Sequence, residues 1–468
     1  MNGDTLEKSG TTGRLNGKKR SRLLKAAVLL FSSFFALASL AVADPGAETS
    51  PNFDYRSLSL EDCLSLARRY NPALGGAVEK IRELTADYRA ARSQFFPQLI
   101  SLAHYEGLEP NRLAPGGSTG PQRADFNGEE AFAGISATQL LFNGGQTYYN
   151  TKAAKIGAQA QKQAALSTGD GVAYEVTRAF YRLLEAKESV NVAREALDQR
   201  EKFLSLTQTF FKAGKVTKLD FFRAKSQVSE AKQAMVTAQN ALRLAREILA
   251  RTIGLKDRIV VDIQGRLPRS FAPAPGIDSL WGQALEHNPE IRELNLQIEQ
   301  SEALVNAAKG SYYPTLSLEG DLGTRHQDTA GTKGEWIAGV LVSLPLFEGG
   351  LRKAQVAAAD SRQIQSIDKK RDRLNSLKID LATAWQDLEN ARNGVIDTRQ
   401  TVATNEEAYA SARALYRNGK AIGLDVLQAQ VDLTASRFTL VKYKADYEVA
   451  RARISQVLGA PLPGPLKK

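Results

Sequence analysis

Residues Val342 to Leu351 read VSLPLFEGGL, and residues Ala137 to Gln146 read ATQLLFNGGQ. In each, residues of strand character run up to a Gly-Gly pair, and a long stretch of helix formers without proline follows, as far as Pro268 or Pro461. A period near two thus gives way abruptly to a period near 3.6. Two adjacent glycines supply the backbone freedom for such a bend. Pro345, which lacks an N–H, is expected to close the strand edge in the second copy.

The two stretches belong to a longer duplication. Phe142, Gly144 and Gly145 match Phe347, Gly349 and Gly350 at an offset of 205. That offset continues without a gap through Gly214-Lys215 and Gly419-Lys420, Leu219-Asp220 and Leu424-Asp425, and Gly254 and Gly459. Upstream, Asn71-Pro72 and Pro97 match Asn288-Pro289 and Pro314 at an offset of 217. The change of twelve residues falls between Pro97 and Phe142, where the first copy carries LAPGGSTGPQR, residues 113–123. A length change confined to one Gly/Pro-rich segment marks an exposed loop.

Each copy reads as the same series of elements. The first repeat spans 44–255 and the second 278–460, with a linker at 256–277 and a tail at 461–468. A helix of roughly forty residues opens each copy (57–96 and 278–313) and stops at Pro97 or Pro314. Strand pairs follow at 98–107 with 130–142, and at 315–323 with 335–347. In the second pair Leu316, Leu318 and Leu322 alternate with Thr315, Ser317, Glu319 and Asp321, and Trp336, Ala338, Val340, Val342 and Leu344 extend the apolar face. One face suits lipid and the other water. Helical hairpins complete the copies at 145–254 and 350–459. An outgoing helix of about 65 residues spans about 100 Å.

The hairpin helices carry apolar positions every seven residues: Val176, Leu183, Val190, Leu197, Leu204 and Phe211, matched by Leu381, Leu388, Val395, Val402, Tyr409 and Tyr416. The returning helices repeat Phe221, Val228, Met235, Leu242 and Leu249 against Val426, Leu433, Leu440, Tyr447 and Ile454. A strict period of seven underwinds helices into a left-handed coil. In the linker, Ile259 to Ile263 reads as one short strand before a Pro-rich stretch.

The N-terminus adds a destination. Lys18, Lys19, Arg20, Arg22 and Lys25 precede the apolar run AAVLLFSSFFALASLAV, and Ala41-Val42-Ala43 supplies small residues before a cut. This is the layout of a secretory signal peptide over residues 1–43. No cysteine follows the run, so a lipid-anchored N-terminus is not expected. The peptide carries seven Lys/Arg and two acids, so its removal takes the net charge from +11 to +6. The basic balance is therefore partly a targeting signal and does not indicate nucleic acid. Beyond it no stretch approaches twenty apolar residues, so the mature chain is either soluble or crosses a membrane as strands.

Catalytic and metal chemistry find little material. One cysteine, Cys63, and the scattered His104, His287 and His326 offer neither a disulfide framework nor a ligand set. There is no phosphate loop and no nucleophile with its base. No enzyme, cofactor or metal site is expected.

Four strands per chain are too few to close a barrel, for which about eight are needed. Open edges in lipid leave backbone groups unpaired. Oligomerisation is therefore required, and a trimer supplies twelve strands. At this point the chain resembles the TolC-like outer-membrane efflux proteins, on the LFNGG and LFEGG junctions, the two F/Y-x-x-G-K…L-D turns and the gap-free register between copies. The resemblance implies a mainly α fold with a membrane β-barrel: a homotrimer with a 12-stranded barrel in outer-membrane lipid over a coiled-coil α-barrel tunnel in the periplasm. It implies as partners a periplasmic adaptor and a proton-driven or ATP-driven inner-membrane pump, in efflux or type I secretion.

The resemblance also places sites. The helix turns, Phe211 to Asp220 and Tyr416 to Asp425, become the periplasmic tips, with Phe211, Gly214, Lys215, Gly419 and Lys420 as adaptor-docking residues. Asp220, Asp425, Tyr416 and Arg417 become gate candidates. Asp220 and Asp425 are also placed to N-cap the returning helices, and Tyr416 continues the heptad stripe as a packing residue. Gln428 and Arg223 follow the two aspartates one turn later, where acid-rich members carry further carboxylates, so strong cation selectivity is not implied. Pro97, Gly144, Gly145, Pro314, Gly349 and Gly350 become the strand–helix junctions. Two other readings share some features: a periplasmic adaptor, which places one hairpin within β-rich domains, and a structural periplasmic coiled coil, which explains the helices but not the strand pairs.

Overall fold

The computed structural model describes residues 55, 57–108, 128–255, 260–327 and 331–460. The expected signal peptide at 1–43, the insert at 113–123 and the tail at 461–468 lie outside them. In the first copy the elements are α1 (Leu60–Tyr70), α2 (Pro72–Ser93), β1 (Gln98–Leu108), β2 (Gly128–Asn143), α3 (Gln146–Lys212) and α4 (Lys218–Ile253). The second copy repeats them as α5 (Ile277–His287), α6 (Pro289–Gly310), β3 (Thr315–Gln327), β4 (Gly331–Ser343), α7 (Leu351–Arg417) and α8 (Gly423–Leu458).

The opening helix expected as one piece is two in each copy, broken at Asn71-Pro72 and Asn288-Pro289. Proline at the first helical position loses no hydrogen bond, but its ring disfavours a helical residue before it. The asparagine does more than stop one helix. The Asn71 side-chain oxygen accepts the Ala73 N–H at 2.9 Å, and its Nδ2 donates to the Thr252 carbonyl of α4 at 2.8 Å. Asn288 accepts from Glu290 N–H at 2.8 Å and donates to Val457 of α8 at 2.7 Å. One side chain thus caps the start of its own helix and the end of the returning hairpin helix. The repeated Gly254 and Gly459 follow from this joint. A Cβ on Gly254 would lie 2.3 Å from the Tyr70 carbonyl oxygen, and one on Gly459 would lie 2.5 Å from Pro289 Cδ. So α4 meets α2, and α8 meets α6, end to end beside the 67-residue helices α3 and α7.

The four strands form one antiparallel sheet in the order β1-β2-β3-β4. Gln98 pairs with Thr138 and Thr315 with Ser343, so both hairpins use the same register under the two offsets. Residues directly opposite share a face. Leu316 with Val342, Leu318 with Val340, and Leu322 with Trp336 and Ile135 therefore build one apolar surface. Trp336 is 76% exposed and Leu322 65% exposed, so nothing among the described residues covers it. Glu319, Asp321, Arg325 and Glu335 alternate onto the other face, where Arg325 pairs with Glu335 at 2.8 Å. A bulge at Leu140/Phe142 bends β2 just before the glycines. The strand expected to reach residue 347 ends at Ser343: β2 continues to Asn143 because β3 pairs with it there, and 344–348 has no such neighbour among the described residues.

Helix packing follows the seven-residue pattern near the middle and departs from it towards the turns. Val176, Leu183 and Val190 are buried, but Leu197 and Leu204 are only partly covered and Phe211 is exposed. Phe203 and Thr207 take over the seam. A helix of 3.6 residues per turn drifts about 20° per heptad against a period of 3.5, and this drift exchanges the buried positions. The second outgoing helix keeps Leu381, Leu388, Val395 and Tyr416 buried.

Residues 260–263 do not form the short strand expected over Ile259 to Ile263, whose first residue lies outside the described residues. Ile263 makes a single parallel bridge with Leu58, Gly265 lies beside Phe180 and Leu184 of α3, and the linker then packs on α7 and α8 through Arg269, Phe271 and Ala274. Tyr447 Oη donates to the Ala272 carbonyl at 2.9 Å, and Trp385 Nε1 donates to the Pro275 carbonyl at 3.0 Å. Asp262 fastens the bridge to the first hairpin through Arg246 at 2.9 Å and Lys187 at 3.4 Å. Burial works to raise the Asp262 carboxyl, but the Ile263 N–H, Arg246 and Lys187 outweigh it and hold the group below the usual carboxylate range. A depressed folded-state pKa stabilises above the unfolded value of about 3.9, and that contribution disappears as pH falls through the folded value. Hydrogen-exchange pulses from pH 6 downwards are expected to show Leu58 and Gln264 losing protection below about pH 4. Asp262→Asn is expected to show that loss already at neutral pH.

Candidate functional site

The two helix turns have one geometry. Lys215 N–H bonds the Phe210 carbonyl at 2.9 Å and Gly214 N–H bonds Phe211 at 3.0 Å; Lys420 bonds Leu415 at 2.9 Å and Gly419 bonds Tyr416 at 3.1 Å. These paired bonds are the Schellman ending of a helix. It requires a left-handed residue, and Gly214 (φ 70°) and Gly419 (φ 67°) supply it.

Asp220 and Asp425 are not the N-caps expected from their place in the sequence. Each stands third in its helix and reaches back. Asp220 accepts from the Thr217 N–H at 3.2 Å and the Thr217 hydroxyl at 2.7 Å, and Thr217 Oγ1 accepts the Asp220 N–H in return. This is a complete capping box. In the second turn Asp425 accepts the Ile422 N–H at 3.2 Å, but isoleucine has no oxygen to reciprocate. Asp425 is exposed and bound by one side of the box only.

Tyr416 joins the hairpins. It is buried, its ring lies 5.2 Å from Phe203 and 5.7 Å from Phe210, and its hydroxyl is 3.4 Å from Thr207 Oγ1. Gly423 is part of the same fit: a Cβ there would stand 3.6 Å from the Tyr416 ring and 3.8 Å from Asp220 Oδ1. The second turn therefore leans on the first hairpin at Tyr416. Burial pushes the Tyr416 phenol up, nearby Asp220 adds to this, and the Thr207 bond works against it. Tyr416 is a neutral packing and hydrogen-bonding group at physiological pH. The structure brings Tyr416 and Asp220 together and leaves Arg417 and Asp425 on the surface.

The tip surface is aromatic and basic. Phe211 stacks on Phe221 at 5.5 Å, and Lys215 lies over Phe210 at 5.9 Å, Lys218 over Phe222 at 5.7 Å. Around the first turn Lys212, Lys215, Lys218, Arg223 and Lys225 face a single acid, Asp220. Arg417 and Lys420 outnumber Asp425 at the second.

At the other end, Gly144 and Gly145 (φ 65° and 82°) and Gly349 and Gly350 (φ 59° and 89°) are all left-handed, and two such residues in succession turn strand into helix. The two junctions are fastened by different chemistry at matching positions. Asn143 Nδ2 donates to Thr147 Oγ1 at 2.9 Å in the first copy; Arg352 donates to Glu348 at 2.6 Å and to the Pro345 carbonyl in the second. Pro97 and Pro314 stand immediately before β1 and β3.

Sequence reasoning did not single out Phe203, Thr207, Phe210 or Gly423, which complete the Tyr416 pocket. Phe203 lies one place before, and Thr207 three places after, the heptad position Leu204, so the stripe of large apolar residues pointed to their neighbours. Among the described residues no group of three or more His, Cys, Asp or Glu is placed to hold a metal ion.

An uncovered apolar sheet continuous with helices about 100 Å long defines a subunit of a membrane-embedded conduit. Residues 63–255 and 280–460 match the family described as "Outer membrane efflux protein", and the chain belongs to that family. The cobalt-zinc-cadmium resistance protein CzcC of Cupriavidus metallidurans is 26% identical over 93% of this chain and 98% of its own length. The outer membrane efflux protein BepC of Brucella suis is 25% identical over 70% of this chain and 71% of its own. The crystal structure of the CmeC outer membrane channel of Campylobacter jejuni shares the fold, with a TM-score of 0.75 and 17% identity over 90% of this chain and 94% of that one. The protein is thus an efflux channel component of the outer membrane that reaches into the periplasm, and members of its family are transport proteins.

Proposed function

We propose that three copies of this chain close a 12-stranded barrel in the outer membrane and continue it as a helical tunnel to the tips. There a periplasmic adaptor docks and hands on cargo from an inner-membrane pump. The observation that carries this reading is the four-stranded sheet, with two unpaired edges and an apolar face open to the surroundings. Such a sheet meets the demands of lipid only when copies pair edge to edge. The conduction step is passive, with energy spent at the inner membrane. Phe211, Gly214, Lys215, Gly419 and Lys420 form the docking tips, whose basic surface suits an acidic hairpin on the adaptor.

The gate reading assigns Tyr416 and Asp220 to the packed centre of the tip and Asp425 and Arg417 to its surface. Protein extracted from outer membranes in detergent is expected to have the mass of a trimer and to form discrete conducting pores in planar bilayers. Monomeric, non-conducting protein would overturn the channel. Asp425→Ala is expected to raise single-channel conductance by removing the last bond on the Ile422 N–H. Unchanged conductance would remove Asp425 from the gate and leave the channel standing.

A further inference from the structure

A phenyl ring lies on the water-facing side of the sheet, where lipid cannot receive it. Phe132 stands directly opposite Arg325, on the face that also carries Glu319 and Asp321. Ile100, Leu102 and Ile337 on that face are half or more exposed, but Phe132 is partly covered. A sheet one layer deep offers no core, so the cover comes from neighbours within the face itself.

Directly opposed residues place His104, Phe132 and Arg325 in one row across β1, β2 and β3. The next row on the same face holds Leu102, Gly134, Gly323 and Glu335. The Phe132 ring leans along its strand into this second row, over the two glycines. A Cβ on Gly134 would fall 2.7 Å from Phe132 Cζ, and one on Gly323 would fall 2.7 Å from both Cε2 and Cζ. Only glycine leaves that space free, so the pair forms a notch for the ring. The same Cβ atoms would meet the Leu322 and Ala133 carbonyl oxygens, at 2.7 and 2.8 Å, so the strands also run close here.

Both flanking strands hold the ring in place. From β1, His104 stacks on it at 5.4 Å with the planes 30° apart. From β3, the Arg325 guanidinium lies 5.4 Å from the ring centre. Arg325 is itself fixed by β4, since its Nε donates to the two Glu335 carboxylate oxygens at 3.0 and 3.1 Å. A second ring and a cation over the face are both attractive partners for a phenyl group.

The row sits at one end of the sheet. His104 and Phe132 are four residues from Leu108 and Gly128, where β1 ends and β2 begins, and Arg325 is two from the end of β3 at Gln327. These ends point away from the helix junctions. In the barrel proposed above they form the outer mouth.

We infer that Gly134 and Gly323 hold Phe132 back against the barrel wall, and that this notch sets the size of cargo the outer mouth passes. The inference rests on the channel reading and adds the residues that fix its size limit. About eight strands enclose a space that side chains fill, whereas about sixteen leave an open aqueous channel. Twelve strands lie between these cases, so one aromatic side chain per protomer, turned inward or tucked away, decides the free width. Phe132 lines the passage; the two glycines, His104 and Arg325 act through it as positioning residues.

Labelling of a cysteine deeper in the mouth measures that width whatever the state of the tip. Asp321 is exposed on the water-facing side, one row further in than Gly323. Full-length Asp321→Cys protein, in the outer membrane of intact cells, is treated from outside with polar maleimides of increasing bulk. Buried Cys63, its thiol pushed up to about 12, does not compete. In this background Phe132→Ala is expected to admit a larger reagent than the parent does. Phe132→Trp, too large for the notch, and Gly323→Ala, which evicts the ring, are expected to lose labelling by the bulkiest reagent that reaches the parent. The smallest reagent is expected to label both. Adding Phe132→Ala to Gly323→Ala is expected to restore the bulky label. The two Phe132 substitutions leave the close strand approach untouched and decide the matter should Gly323→Ala fail to reach the membrane. One size limit in every variant, or a loss in Gly323→Ala that Phe132→Ala does not relieve, overturns the notch and leaves the channel standing. No labelling by even the smallest reagent overturns the notch in a trimeric protein, and the channel reading with it in a monomeric one.

Discussion

Tyr416→Ala is expected to destabilise the tip by about 3–5 kcal/mol, the range for removing a buried aromatic side chain. It empties the space between Phe203, Phe210 and Gly423 and leaves Thr207 without its hydroxyl partner. Because Tyr416 is the point where the second hairpin leans on the first, the lost packing is expected at the pore entrance, as a higher single-channel conductance and a lower melting temperature of the trimer. Tyr416→Phe keeps the ring and gives up only the 3.4 Å contact with Thr207, so its expected cost is about 1 kcal/mol with conductance close to that of the parent. A lower melting temperature with unchanged conductance in Tyr416→Ala would make Tyr416 a packing residue and nothing more.

Asn288→Ala is expected to cost about 2–4 kcal/mol. The loss of an N-cap contributes about 1 kcal/mol, and stranding a buried carbonyl adds about 1–3 kcal/mol. Both terms apply because Asn288 is buried while it caps α6 and holds the Val457 carbonyl of α8. Asn71→Ala removes the same bonds from α2 and α4, but Asn71 is only partly buried, and water can replace what is lost. The smaller effect is therefore expected in the first copy. Thermal unfolding of the two variants, followed by helical circular dichroism, checks the order. Equal losses would mean that burial of the joint does not set its worth.

The repeated Asn-Pro was visible in the sequence as punctuation, and its first role, ending one helix and starting another, follows from proline chemistry. Its second role was not legible, because the carbonyl that Nδ2 reaches lies 181 residues away in one copy and 169 in the other. The residues of the two tips divide in the same way. Gly214 and Gly419 could be read locally, since only a left-handed residue ends a helix in this manner. Asp220 and Asp425 were placed at the right helix starts but three residues past the cap, a matter of local geometry that the pattern L-D does not resolve. The Tyr416 pocket was hidden because Phe203, Thr207 and Phe210 come to it from the other hairpin.

What the sequence by itself determined is the repeating plan: two units in fixed register, strand pairs that turn into long helices at Gly-Gly, and hairpins reversed at Gly-Lys. These are consequences of short-range rules, the period of apolar residues and the dihedral freedom of glycine and proline, and they act within a few residues. Only the tertiary structure decided which of two equivalent surfaces is covered. The duplicated units carry nearly the same instructions, but the chain can place the second against the first only once. The contact it makes there is buried, and its image at the outer edges stays open, because covering it takes another molecule.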